Sequence, residues 1–195
     1  MKRQGESFLS SLPMRSQRKG QFYLVTTIMI ITIILGFVSL TNFVQKRSTL
    51  KFYYDGEELA LESERVLDYI LSNKATVHPD TQIGDFIENF TEYSEAENFY
   101  FLYNSSDSIL KFKGYKRLES GNVTIKTESE ELLISLNKGE FGDVTHLSNP
   151  GSNIKMTIHE GGDDLVFDFV FNGKTNFYYV ISREIGGDRY LETNA

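Results

Sequence analysis

Three histidines, His78, His146 and His159, are the only imidazoles in the chain. None lies within five residues of another, so a metal site would need the fold to bring them together. His159 falls on the polar side of an alternating run, and each of the three reads as a solvated or turn histidine. The segment Glu160-Gly161-Gly162-Asp163-Asp164, with Asp168 beyond it, gathers carboxylate oxygens of the kind calcium takes. Its spacing fits no EF-hand loop, and it reads first as a connection between strands. Glu128-Ser129-Glu130-Glu131 reads as a solvated turn rather than a carboxylate pair for acid–base work. No G-x-S-x-G elbow, phosphate-binding loop or G-x-G-x-x-G fingerprint occurs. The expectation is therefore a non-enzyme with no catalytic residues, no cofactor and no metal site.

Composition narrows the partners. The 195 residues carry 20 Lys+Arg against 27 Asp+Glu, and the imbalance sits beyond Ser48, where the net charge is −13. Such a domain repels phosphates, so nucleic acid is not an expected partner. With no Cys there is neither a disulfide framework nor a thiolate metal site. Phe and Tyr number 26 and must supply much of the packing.

No charge falls between Gly20 and Gln45. Phe22 to Val44 would rise roughly 34 Å as a helix, enough to cross a bilayer with some tilt. Sixteen of those 23 residues are apolar; the polar ones are Thr26, Thr27, Thr32, Ser39, Thr41 and Asn42, and Thr or Ser can return a hydroxyl to the helix backbone. The apolar run is longer than a cleaved secretory signal and lacks its A-x-A-like site. Thr32, Gly36 and Ser39 form a small-residue face, read either as a helix-packing surface or as tolerated small residues in lipid. Lys2, Arg3, Arg15, Arg18 and Lys19 precede the helix, and only Lys46, Arg47 and Lys51 follow closely. The bias places the N-terminus in the cytoplasm and residues 48–195 outside it, at the cell membrane.

The junction Arg18-Lys19-Gly20-Gln21-Phe22-Tyr23-Leu24 resembles the opening of a group of archaeal single-pass membrane-anchored proteins of unknown function. More distantly it is similar to the class III signal peptides of archaeal type IV pilin-like proteins. That likeness implies cleavage between Gly20 and Gln21, leaving the apolar helix on the mature chain. Many such pilins continue Gln-x-Ser-x-Glu-x-x-x-Leu. Here Tyr23, Val25 and Met29 stand in place of the Ser, Glu and Leu, so the carboxylate expected to set subunit register is absent. The alternative is that Arg18 and Lys19 are ordinary stop-transfer charges.

The expected domains are a basic tail over 1–21, a transmembrane helix over 22–44, a juxtamembrane linker over 45–56, an α+β domain over 57–185 and a frayed tail over 186–195. Leu50 to Tyr54 reads as an interfacial belt broken by Asp55-Gly56. Leu59, Val66 and Ile70 mark a helix over 57–71, ended by Asn73-Lys74. Asp80 or Thr81 would cap a second helix carrying Ile83, Phe86, Ile87 and Phe90 and ending near Tyr93. From residue 97 the period becomes two. Runs around 99–103, 110–113, 123–125, 132–136 and 154–158 lead to Leu165–Phe171 and Phe177–Ile181, which Asn172-Gly173 should join as a hairpin. The expected fold class is thus α+β: the transmembrane helix, one or two amphipathic helices, then an antiparallel meander of about six strands with one face on the helices.

Sequons occur at Asn89, Asn104 and Asn122, against roughly two expected by chance, so they carry no functional signal. The leading expectation is an anchored extracytoplasmic structural or protein-interaction protein, with a pilin-like subunit included. Its partners would be the lipid bilayer and either copies of itself or other surface proteins. The alternative is an anchored ligand- or ion-binding sensor that signals through a partner, since a 21-residue tail leaves no room for an output domain.

Overall fold

The computed structural model describes residues 15–73, 78–104, 109–148, 151–160, 162–171 and 176–194. The chain divides into two compact units, Met1–Lys46 and Arg47–Ala195.

The first helix, α1, runs from Arg15 to Ser72. Over Phe22 to Val44 every large apolar side chain is at least half exposed, and this stretch is long and apolar enough to span a membrane. Thr26, Thr32 and Thr41 donate their hydroxyls to the carbonyls of Phe22, Ile28 and Phe37 at 2.9, 2.9 and 3.0 Å. Each hydroxyl is thus satisfied without water.

Residues 45–56 are helical, not a linker. Asp55 and Gly56 do not break α1, because both serve the packing of the second unit. The Asp55 carboxylate accepts from Ser94 Oγ at 2.8 Å and from the Glu95 amide at 3.3 Å. At Gly56 a Cβ would stand 2.9 Å from Glu192 Cγ, and the Gly56 carbonyl accepts from Tyr179 Oη at 3.2 Å. These contacts offset the ~1 kcal/mol that glycine costs inside a helix. Phe52, expected at the lipid interface, is instead fully buried in the second unit, whereas Tyr53 and Tyr54 are exposed. Asn73 closes α1 by donating its amide and its side chain to the Tyr69 carbonyl.

In the second helix, α2 (Pro79–Tyr93), the N-cap position is held by His78, whose side chain makes no capping bond, and not by Asp80 or Thr81. Pro79 occupies the first turn, where its fixed φ suits the helix and its missing N–H costs nothing. Asp80 then lies within the first turn and pairs with Lys111 at 2.5 Å.

Nine strands follow among the described residues: β1 Asn98–Asn104, β2 Ile109–Lys116, β3 Gly121–Lys126, β4 Glu131–Leu136, β5 Phe141–Ser148, β6 Asn153–Glu160, β7 Asp163–Val170, β8 Asn176–Ile185 and β9 Asp188–Thr193. They form two antiparallel sheets, ordered β5-β2-β1-β8-β9 and β4-β3-β6-β7, instead of a single meander of six. Two apolar layers result. Phe52, Leu59 and Ile70 of α1 and Ile83, Ile87 and Phe90 of α2 pack on Phe99, Phe101, Phe177, Tyr179 and Ile181 of the five-stranded sheet. Its other face, with Tyr100, Leu102, Leu110 and Phe112, packs on Val123, Ile125, Ile154, Met156 and Phe169 of the four-stranded sheet. Strand β1 is therefore buried along its whole length.

The hairpin expected at Asn172-Gly173 does not form. Those two residues lie outside the described set, but β7 pairs with β6, and β8 with β1 and β9. Leu165, Phe167 and Phe169 face the layer between the sheets, while Phe177, Tyr179 and Ile181 face the helices. The chain crosses from one sheet to the other here, and Tyr178, on the opposite face of β8, meets the Phe169 ring at 4.9 Å.

Nor is the described stretch 186–194 a frayed tail, since it carries β9. Gly186 and Gly187, at φ 67° and 90°, make a two-residue turn that returns β9 along β8. Positive φ at both positions is what a type I′ hairpin demands.

Candidate functional site: a polar pocket at one end of the sheets

Four strands place a polar residue where their buried phase would otherwise continue. In β1, Asn98 precedes Tyr100 and Leu102; in β2, Lys116 follows Leu110, Phe112 and Gly114. In β6, Glu160 follows Ile154, Met156 and Ile158; in β8, Ser182 follows Tyr178 and Val180. Strand register puts Asn98 directly between Lys116 and Ser182. All four sit at one end of the layer between the sheets, next to a cavity of about 190 Å³. Its lining includes Glu97, Asn98, Glu119, Glu160, Ser182 and Arg189.

Lys116 and Glu160 form the buried centre. Their side chains are 1% and 2% exposed, and Lys116 Nζ lies 3.0 Å from Glu160 Oε1. The same oxygen accepts from Tyr100 Oη at 2.6 Å, and Arg189 Nη1 approaches Oε2 at 3.7 Å. Glu119, mostly exposed, stands 3.4 Å from Lys116 Nζ. Isolated charges would be strongly disfavoured at such depth; this mutual pairing is what holds them. Burial first, then the neighbouring Glu160 charge, drives the Tyr100 hydroxyl far above the ordinary phenol range, so Tyr100 serves as a proton donor and not as a base. Gly121 makes room for the lysine, since a Cβ there would stand 2.6 Å from Nζ.

Asn98 is 9% exposed. Its Nδ2 donates to Ser182 Oγ at 3.0 Å, but its Oδ1 has no protein partner. A buried acceptor left so costs about 1–3 kcal/mol. That oxygen is closed off from water, so it is not a contact point for a molecule in the neighbouring pocket. Nothing in it pairs a nucleophile with a base.

One such pairing does occur elsewhere. His159 Nε2 lies 2.8 Å from Thr124 Oγ1, and Nδ1 lies 2.6 Å from Asp164 Oδ1, across β3, β6 and β7. The connectivity is that of a nucleophile, base and carboxylate. It lies on the outer face of the four-stranded sheet, with Leu133, Thr157 and Val166 as cross-strand neighbours. The chain of bonds ties three strands together.

The other sequence candidates do not converge. His78 occupies the N-cap position of α2, and His146 belongs to β5. Of the acidic loop, Glu160 turns into the pocket, Asp164 to His159, and Asp168 towards Lys155 at 3.7 Å. Glu128 Oε1 accepts from the Ser152 amide at 3.1 Å, and Glu131 pairs with Lys126 at 3.1 Å. Gly20 and Gln21 lie within α1, as do Thr32, Gly36 and Ser39. Among the sequons, Asn104 is buried and its Oδ1 accepts from the Asn176 amide, whereas Asn89 and Asn122 are exposed.

No known protein family, curated protein or solved structure matches the chain.

Proposed function

We propose that this is a single-pass membrane protein that presents its α+β domain outside the cytoplasm, for contact with other surface proteins or with copies of itself. The observation that carries this reading is Phe22–Val44, an uncharged helical stretch with its large apolar side chains turned outward. In water that surface would be severely unfavourable, and lipid is the solvent that fits it. The basic residues ahead of it support a cytoplasmic N-terminus. Cleavage between Gly20 and Gln21, as in pilin-like precursors, belongs to the same reading.

Cell fractionation tests it directly. The full chain should sediment with membranes and leave them only in detergent. A tag after Ala195 should be digested by protease added outside intact cells. A chain found in the soluble fraction would overturn the anchor; a protected tag would overturn the orientation. Mass spectrometry of the mature N-terminus decides the cleavage, which fails if residues 1–20 remain attached.

A second reading, an anchored ligand-binding sensor acting through a partner, is favoured by one observation. A polar cavity of about 190 Å³, lined by Asn98, Glu119, Glu160, Ser182 and Arg189 among others, lies at one end of the sheets.

A further inference from the structure

We propose that the outer edge of β7 takes an extended basic segment of another surface protein as an added strand, an inference that rests on the protein-contact reading above and names its docking surface. Among the described residues β7 pairs with β6 alone, through eight consecutive residue pairs without a bulge. Its other side presents a regular row of backbone donors and acceptors, a template for pairing with another chain. The remaining edges offer less: β4 and β9 have six residues each, and the pairing of β5 is interrupted by a register shift. No Pro or Lys blunts β7, which reads Asp163-Asp164-Leu165-Val166-Phe167-Asp168-Phe169-Val170.

The apolar layer also stays open along this edge. Met156 and Ile158 of β6 are buried, but Phe167 and Leu165, their partners on β7, are only partly so. The Phe169–Tyr178 ring contact sets β7 over β8, and β9 is the next strand outward. Leu191, opposite Ser182 on the inner face of β9, remains 36% exposed. A strand added beside β7 would cover Leu165, Phe167 and Leu191 with its inward side chains.

Charge selects the occupant. In a two-fold pairing of β7 with its own copy, centring on Val166 sets Asp164 opposite Asp168 twice over, and centring on Phe167 sets the two Asp168 side chains on a diagonal. The strand carries no cation to offset them, so a second copy is disfavoured. Asp164 and Asp168 each turn one oxygen to a β6 neighbour, His159 and Lys155, yet both remain more than half exposed. A segment with Lys or Arg at alternate positions meets attraction there where an acidic one meets repulsion.

Fluorescence anisotropy on the full chain in detergent micelles tests this with two labelled octapeptides, one alternating Lys with Val and one alternating Glu with Val. The Lys peptide should bind saturably and the Glu peptide should not. Asp164→Asn combined with Asp168→Asn should weaken the Lys peptide about tenfold. Val166→Pro and Phe167→Pro separate strand pairing from plain attraction. Successive amides point to opposite sides of a strand, so only one of these two prolines interrupts the β6 ladder. The one that stays folded in a thermal melt should also weaken the Lys peptide about tenfold; if neither folds, the asparagine pair decides. Equal binding of the two peptides overturns the basic partner, and affinity unchanged in the folded variants overturns the added strand. Dimers of the full chain that the folded proline variant abolishes would assign the edge to a second copy instead. Silence from both peptides on a chain that fractionates with membranes removes this docking surface and leaves the anchor standing, whereas a soluble chain removes the reading on which it rests.

Discussion

The buried carboxylate of Asp55 accepts a hydrogen bond from the hydroxyl of Ser94 at 2.8 Å, joining α1 to the turn between α2 and β1. Ser94 Oγ in turn accepts from the Ala96 amide at 3.2 Å. Nearby, Glu95 pairs with Lys51 of α1 and with Arg183 of β8. The C-terminal part of α1 is thus fastened to the sheet by polar as well as apolar contacts.

Replacing Asp55 with Ala should be costly, because the Ser94 hydroxyl and the Glu95 amide lose a charged acceptor. A loss of about 1–3 kcal/mol is expected in urea denaturation, with Ser94→Ala costing less. Equal stability of Asp55→Ala and the parent chain would show that the fastening is inert.

Removing one partner of the Lys116–Glu160 pair should destabilise the protein more than removing both. Lys116→Met or Glu160→Gln alone is expected to cost about 3–5 kcal/mol, since each leaves the other group buried without its main counter-charge. The double variant should recover much of that loss. A double-mutant cycle with strictly additive effects would contradict the coupling.

Two carboxylates should give stability opposite pH dependences. Hydrogen bonds from Lys51 and then Arg183 hold Glu95 below its usual 4.5, so its contribution persists above 4.5 and fades as pH falls through its lowered folded value. Half-exposure and screening keep that contribution small. Glu192 is shifted the other way, first by burial and then by the charge of Glu57. Its contribution is complete below 4.5 and is lost as pH rises through the raised folded value. Glu192→Gln should accordingly stabilise the protein at neutral pH and flatten the approach to its acidic side. Melting temperatures across the pH range check both effects; a Glu192→Gln profile parallel to that of the parent chain would refute the second.

Charges in the apolar stretch should abolish membrane retention. Ile30→Lys together with Ile34→Lys adds about 2.5–3.5 kcal/mol per lysine near the helix centre. The variant should appear in the soluble or aggregated fraction, and full retention in the bilayer would count against insertion of this segment.

Much of the architecture was legible in the chain because it rests on local periodicity. The uncharged stretch from Phe22, the face formed by Leu59, Val66 and Ile70, and the end of α2 at Tyr93 all follow from spacing along one helix. The period-two runs likewise mark their strands. Strand β5 escaped because a bulge opposite Leu110 and Phe112 spaces Val144 and Leu147 three residues apart, which breaks the alternation. Strand β9 escaped because it is a polar edge strand, although its Gly186-Gly187 turn was a hairpin signal.

The sequence by itself determined most of the helical and strand segments, that one segment suits lipid, and which phase of the alternating strands is apolar. These properties depend on neighbours a few positions away. Only the tertiary structure decided that Leu165–Phe171 and Phe177–Ile181 belong to different sheets, since two apolar faces can meet edge to edge or across a layer with the same local pattern. It alone brought Asn98, Lys116, Glu160 and Ser182 to one end of that layer. Each is a polar residue continuing a buried phase, and what satisfies it comes from another strand, whose position no local spacing encodes.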